Sequence, residues 1–181
     1  VGQYEAIYVA IHGKEPYVLG KEKAVRQAIA LAINKEAIVR NVWRNNAVVS
    51  QTMIPASILG RYARLIRGTP YDPARARKIL DEAGWRVGPD GIRTKGGRRL
   101  SLVMVVGFPS AEIHRPMPEL VQGMLREVGI DVRIVVTPDL AAYEDRLAKG
   151  EGDLWVEAGN QNDGNPCFLP DLLFYSRGPE H

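Results

Sequence analysis

Apolar and polar positions along the chain alternate with two distinct periods. Tyr4 to Ile11, rich in Tyr, Ile and Val and bounded by Gly2 and Gly13, reads as a strand. From Lys21 to Ile33 the apolar residues Val25, Ala28, Ile29, Ala32 and Ile33 recur at helical spacing, which puts them on one buried face. Asn34 is placed to cap a second helix, Lys35 to Trp43, whose Ile38 and Val42 extend that stripe. The clearest punctuation lies in Asp72 to Gly84: Asp72 as N-cap, Pro73 at the first helical position, Ala76, Ile79, Leu80 and Ala83 on one face, and Gly84 as a left-handed stop. Trp85 can fold back on the last turn, and Gly88-Pro89-Asp90-Gly91 reverses the chain before Gly96-Gly97.

The second half is more regular. Leu100 to Val106, interrupted only by Ser101, is a β-branched and aliphatic run that suits a strand covered on both faces. A helix starts near Pro118, carries Leu120, Val121, Met124, Leu125 and Val128, and ends at Gly129. Val132, Ile134 and Val136 alternate as a strand; Thr137 then caps a helix with Pro138 in its first turn and Leu140, Tyr143 and Leu147 facing inward, ended by Gly150 and Gly152. Leu154, Val156 and Ala158 form a last strand, and Gly159 to Pro166 reads as a polar loop. Strand, helix, strand, helix, strand over Leu100 to Ala158 is the pattern of successive crossovers, so the fold class is α/β with a mixed, mostly parallel sheet flanked by helices.

Composition narrows the possibilities. The chain has 181 residues, 45% of them hydrophobic and 25% charged, which bounds it to one domain spanning residues 1–181. No apolar run reaches the roughly 18 residues of a membrane span. It opens on Val1 without a basic-then-apolar leader, and the expectation is a fragment or a processed product. One cysteine, Cys167, forbids an internal disulfide, and His12, His114 and His181 lie too far apart for metal-ligand spacing, so no metal and no cofactor is expected. Net charge is +3, with seventeen Arg and seven Lys. Arg75, Arg77, Arg93, Arg98, Arg99, Arg126, Arg133 and Arg146 are interspersed with acids, which reads as a solvated surface and not a nucleic-acid footprint. Trp43, Trp85 and Trp155 lie in or beside regular elements and read as core or half-buried anchors, not sugar-stacking platforms.

Several of these segments, in unbroken order from about Tyr4 to Ser176, resemble the peptide/nickel-type solute-binding proteins that feed bacterial ABC importers. Val25-Arg26-Gln27-Ala28-Ile29 through Ala32-Ile33-Asn34-Lys35-Glu36-Ala37-Ile38-Val39 resembles the family's "vRqAl" helix running into "AiDre.iv". Ile54-Pro55 with Gly60 resembles the loop after it. Tyr71-Asp72-Pro73-Ala74-Arg75-Ala76-Arg77-Lys78-Ile79-Leu80-Asp81-Glu82-Ala83-Gly84-Trp85 is very close to "YDpekAkkLLaeAGw" and is the most specific match. Asp90-Gly91-Ile92-Arg93 suits the hairpin that follows, Val121-Gln122 with Leu125 through Val132 resembles "iq..L..iGi.v", and Gly152-Asp153-Leu154 through Gly159 resembles "yDl...gw".

The resemblance implies a periplasmic-binding-protein-like lobe, the C-terminal one of a two-lobed protein whose N-terminal lobe is absent from this chain. It implies a monomeric binder and not an enzyme, periplasmic or lipid-anchored on the outer face of the cytoplasmic membrane, that passes a peptide or similar small solute to a permease. Closure would be driven by the ligand's preference for the closed form. In peptide-binding relatives an Asp in the loop after the "gw" strand pairs with the ligand's α-amino group, and Asp163 falls in the matching loop; capping an Asn-Asp-Gly turn is the alternative role. Asn160, Gln161 and Asn162 are amide neighbours that either bond a ligand backbone or solvate the loop. Asn160 stands where the family has Trp, and Asn165-Pro166 replaces Asp-Pro with one residue fewer between, which would reshape the cleft for a more polar ligand. Arg115 lies where some dipeptide binders place an Arg for the ligand carboxylate, with a surface role as the alternative. An oligosaccharide is the rival ligand. Rival classes are a Cys167-dependent enzyme using His114 or His12 and a basic nucleic-acid-binding module.

Overall fold

The computed structural model describes residues 2–10, 14–17, 19–52, 54, 56–107 and 116–161. Among these residues the strands form two sheets. The larger has the order β1 (Gly2–Val9), β7 (Leu154–Gln161), β5 (Ser101–Val106), β6 (Asp131–Val136). β5 pairs in parallel with both neighbours, Met104 lying opposite Ile134 on one side and Leu154 on the other, while β1 runs antiparallel to β7 at the edge. The sheet is thus mixed and mostly parallel, as the crossover pattern implies.

From Leu102 to Val106 each face of β5 is covered, which explains the apolar run there. Leu102, Met104 and Val106 join Leu154, Val156 and Val132 in the main core with α1 (Lys23–Ala32), α4 (Pro73–Glu82) and α5 (Pro116–Glu127). Val105 points the other way, into a smaller cluster with Trp155 and Tyr143 of α6 (Leu140–Lys149). α5 and α6 therefore cover opposite faces, the arrangement of a doubly wound sheet. α1 buries Val25, Ala28, Ile29, Leu31 and Ala32, and Asn34 caps α2 (Lys35–Asn41) by accepting from the Ala37 amide at 2.9 Å. Trp85 and Trp155 are buried and Trp43 is half-buried.

Local chemistry sets the helix ends. Asp72 Oδ1 accepts from the Arg75 amide at 2.8 Å, with Pro73 in the first turn. At the other end the Gly84 and Trp85 amides return to the Asp81 and Leu80 carbonyls, a Schellman closure that Gly84 permits at φ 88°. The chain then forms a small sheet, β2 (Arg86–Val87), β3 (Arg93–Lys95) and β4 (Arg98–Arg99), turned at Gly88–Gly91 and at Gly96-Gly97. Between α2 and α4 lie α3 (Ala56–Leu59) and a 3₁₀ helix, Gly60–Leu65.

Four expectations are corrected. Thr137 does not cap α6: its hydroxyl and amide both bond to the Val106 carbonyl, and Asp139 caps instead, accepting from the Ala142 amide at 2.8 Å. A buried hydroxyl at the end of a strand is satisfied better by the neighbouring strand than by a helix starting two residues on. Leu140 and Leu147 are largely exposed, because α6 meets the sheet chiefly through the Tyr143 ring, seated on Gly107 where a Cβ would lie 2.7 Å from it. Asn160 is not in a loop; β7 continues through Gln161, with Asn160 opposite Gln3, since edge pairing requires backbone groups and not apolar side chains. Arg93 is 1% exposed and no part of the solvated surface.

Among the described residues no helix is long and apolar enough to cross a membrane, and no cluster of three or more His, Cys, Asp or Glu is placed to hold a metal.

Candidate functional site

Chain order and strand order together locate the most favourable place for a ligand. From β5 the chain passes through α5 to β6 on one side, and from β6 through α6 to β7 on the other side of β5. The carboxyl ends of β5 and β7 therefore flank a point where the connections diverge, and in open α/β sheets ligands bind in the crevice this leaves. Thr137 ties the end of β6 to Val106, and the Tyr143 hydroxyl donates to the Val156 carbonyl at 3.4 Å, so two cross-links stiffen this rim. Tyr143 also meets Trp155 edge-on, ring centroids 5.4 Å apart. Exposed Val136 and Leu140 add apolar surface at the same end.

Of the expected ligand-binding residues, Asn160 stands at the carboxyl end of β7. Arg115, Asn162 and Asp163 lie outside the described residues, as do Cys167, His12, His114 and His181. Arg115 directly precedes α5, and Asn162 directly follows β7. A separate cavity of about 230 Å³, lined by Ile33, Lys35, Val49, Gln51 and Tyr71 among others, draws no residue from these strand ends.

The opposite, amino end of β7 holds a buried acid that pattern reading missed. Asp153 is 2% exposed; its Oδ2 accepts from the Val103 amide at 2.8 Å, and Oδ1 has no hydrogen-bond partner among the described residues. Burial pushes this carboxyl above its ordinary range, against the lowering pull of the Val103 amide and the Arg98 charge. The sequence signals it offered were its place immediately before a buried strand and its match to the acid of the "yDl...gw" segment. Its role is to bind β7 to β5. Asp153→Ala is expected to cost about 2 kcal/mol by leaving the Val103 amide unsatisfied. Because the folded-state pKa is raised, this group's contribution is greatest at and below the ordinary carboxylate range and declines as pH rises through the raised value. Urea midpoints across that range should therefore show a downward component in the wild type that Asp153→Asn lacks; equal slopes would refute it.

The fold agrees with what comparison finds. The model for bacterial extracellular solute-binding proteins, family 5 (middle), matches residues 3–180. The chain belongs to this family. It is 31% identical over 125 residues to the nickel-binding periplasmic protein of Escherichia coli K12, covering 67% of this chain and 23% of that protein. It is 30% identical over 150 residues to the dipeptide-binding protein of the same organism, covering 83% and 26%. The solved structure of NikA from Brucella suis in complex with Fe(III)-EDTA superposes with a TM-score of 0.77 at 26% identity, over 99% of this chain and 34% of that one. This family 5 chain thus spans about a quarter of the length of the curated relatives it matches. Those relatives are binding proteins and not enzymes, and the family is extracellular.

Proposed function

We propose that this chain is one lobe of a two-lobed solute-binding protein that captures peptides outside the cytoplasmic membrane and delivers them to an ABC-importer permease. The observation carrying this reading is the parallel pairing of β5 with β7 at the divergence of the connections, where β5 ends at Val106 opposite Val156 and β7 runs on past it to Gln161. Asn160 is the penultimate residue of β7, and the segments with Arg115 and Asp163 follow β5 and β7 in sequence. A relative named for dipeptides supports a peptide as solute. In this reading Asp163 pairs with the ligand's α-amino group, Asn160 and Asn162 bond its backbone, and Arg115 meets its carboxylate. A desolvated carboxylate–ammonium pair is strong and selects free amino termini.

A lone lobe supplies half the contacts, so closure gains nothing from a ligand it cannot clamp. The chain titrated alone with dipeptides should bind weakly or not at all, whereas joined to the opposing lobe it should bind them. In the joined protein, Asp163→Asn is expected to weaken dipeptide binding roughly 100-fold while leaving the affinity for an N-acetylated peptide, already poor, unchanged. Micromolar or tighter binding by the single lobe would refute the half-clamp reading. A copurifying oligosaccharide in place of a peptide would replace the solute and demote Asp163.

A further inference from the structure

One stretch of the chain carries arginines and no acidic residue at all. From Ala37 to Tyr71 the chain contains five Arg and no Asp or Glu, so with a total net charge of +3 the remainder is net negative. Among the described residues, no carboxylate lies within ion-pair distance of Arg40, Arg44, Arg61, Arg64 or Arg67; outside the stretch Arg93, Arg98, Arg99, Arg126 and Arg146 each have one, while Arg26, Arg75, Arg77, Arg86 and Arg133 have none but lie on segments that also carry acids.

The 3₁₀ helix Gly60–Leu65 arranges part of this charge. With three residues per turn, side chains three apart stack in rows. Arg61 and Arg64 make one exposed row, Tyr62 and Leu65 the next, and the third row, Ala63 continued by Ile66, is half-buried. Leu65 is 77% exposed and Tyr62 55%. The Arg61 guanidinium sits 5.0 Å from the Tyr62 ring centre and donates to its hydroxyl at 3.0 Å; Arg67 donates to the Arg64 carbonyl at 3.0 Å and stays exposed.

We propose that this convex turn docks on the anionic headgroup layer of a lipid bilayer. Guanidinium groups match lipid phosphates, and an adjoining Tyr–Leu row enters the interface beneath them. Charge complementarity favours an anionic surface, and bare aliphatic Leu65 favours one with an apolar layer below it. A nucleic acid would offer Leu65 nothing to stack on and would find a face of Tyr62 taken by Arg61. The bilayer assignment rests on the family's extracellular location and not on which solute is carried, so its failure would leave the solute reading standing.

The test is flotation of the protein with vesicles of phosphatidylcholine alone and of phosphatidylcholine with an equal part of phosphatidylglycerol. Binding is expected to the mixed vesicles only and to fade with salt. Arg61→Gln, Arg64→Gln and Arg67→Gln together should weaken it on the order of 100-fold, about fivefold for each charge removed. Arg75→Gln, Arg77→Gln and Arg133→Gln together, with the same change in net charge, should alter it by less than about threefold. Leu65→Ser should weaken it roughly five- to tenfold. Absence of binding to mixed vesicles, equal effects of the two triple variants, or a dimer in solution that hides the turn would each overturn the proposal. So would tighter binding to polyglutamate or a single-stranded oligonucleotide with no effect of Leu65→Ser.

Discussion

Replacing Arg93 by alanine is expected to destabilise the protein by about 4 kcal/mol, measured as a lowered urea midpoint. The guanidinium is buried and bonds three groups: the Val128 carbonyl at 2.9 Å, the Trp85 carbonyl at 2.7 Å and Asp81 Oδ1 at 2.6 Å. The Arg93 amide also reaches the Gly129 carbonyl, and a Cβ on Gly129 would lie 2.8 Å from the Arg93 side chain. One residue thus bolts the small sheet to the end of α4 and to the turn before β6. Removing it strands two carbonyls in the interior and opens a void. The ion pair is the lesser part. Arg93 holds the Asp81 carboxyl below its ordinary range, but that carboxylate is half exposed, so Asp81→Asn should cost only about 0.5 kcal/mol. Arg93→Met restores bulk without donors and separates the two effects; if it matches wild type, the hydrogen bonds contribute nothing. Amide exchange should show β2, β3 and β4 opening before the larger sheet in Arg93→Ala.

Gly20→Ala is expected to cost about 3 kcal/mol, and Gly123→Ala to stabilise by roughly 0.8 kcal/mol, the same substitution with opposite sign. A Cβ on Gly20 would lie 2.1 Å from the Ala10 carbonyl oxygen. That backbone cannot retreat freely, because the Ala10 amide is bonded to the Asp153 carbonyl at 2.8 Å, nor can Gly20 swing away from neighbouring Leu19 in the core. Gly123 lies exposed on α5, and a methyl group there would meet no atom within 4 Å, so alanine adds helix propensity alone. Thermal melts of the two variants decide the matter. A neutral Gly20→Ala would mean that the end of β1 is free to shift.

Legibility differed between elements for physical reasons. The α4 segment announced itself because Asp72, Pro73 and Gly84 act on their own backbone within a few residues. β5 was readable because both faces of its stretch from Leu102 to Val106 are packed against the core, so each of those positions is apolar. α6 was misread because its two exposed leucines imitate a buried stripe, and Thr137 because its partner is a carbonyl on another strand. In the candidate site, the family resemblance singled out Asp163, Asn162, Asn160 and Arg115, but periodicity alone carries no information on which strand ends meet.

Local chemistry was sufficient to specify the α/β class, most helix and strand positions, and the family, since periodicity, caps and motif wording depend on neighbours in the chain. Strand order, the antiparallel β1 edge, the burial of Arg93 and Asp153 and the isolation of the Arg61–Arg67 turn from any carboxylate among the described residues are long-range facts. They arise only when distant segments compete for the same partners, and an arginine written identically at positions 64 and 93 becomes surface in one place and core in the other.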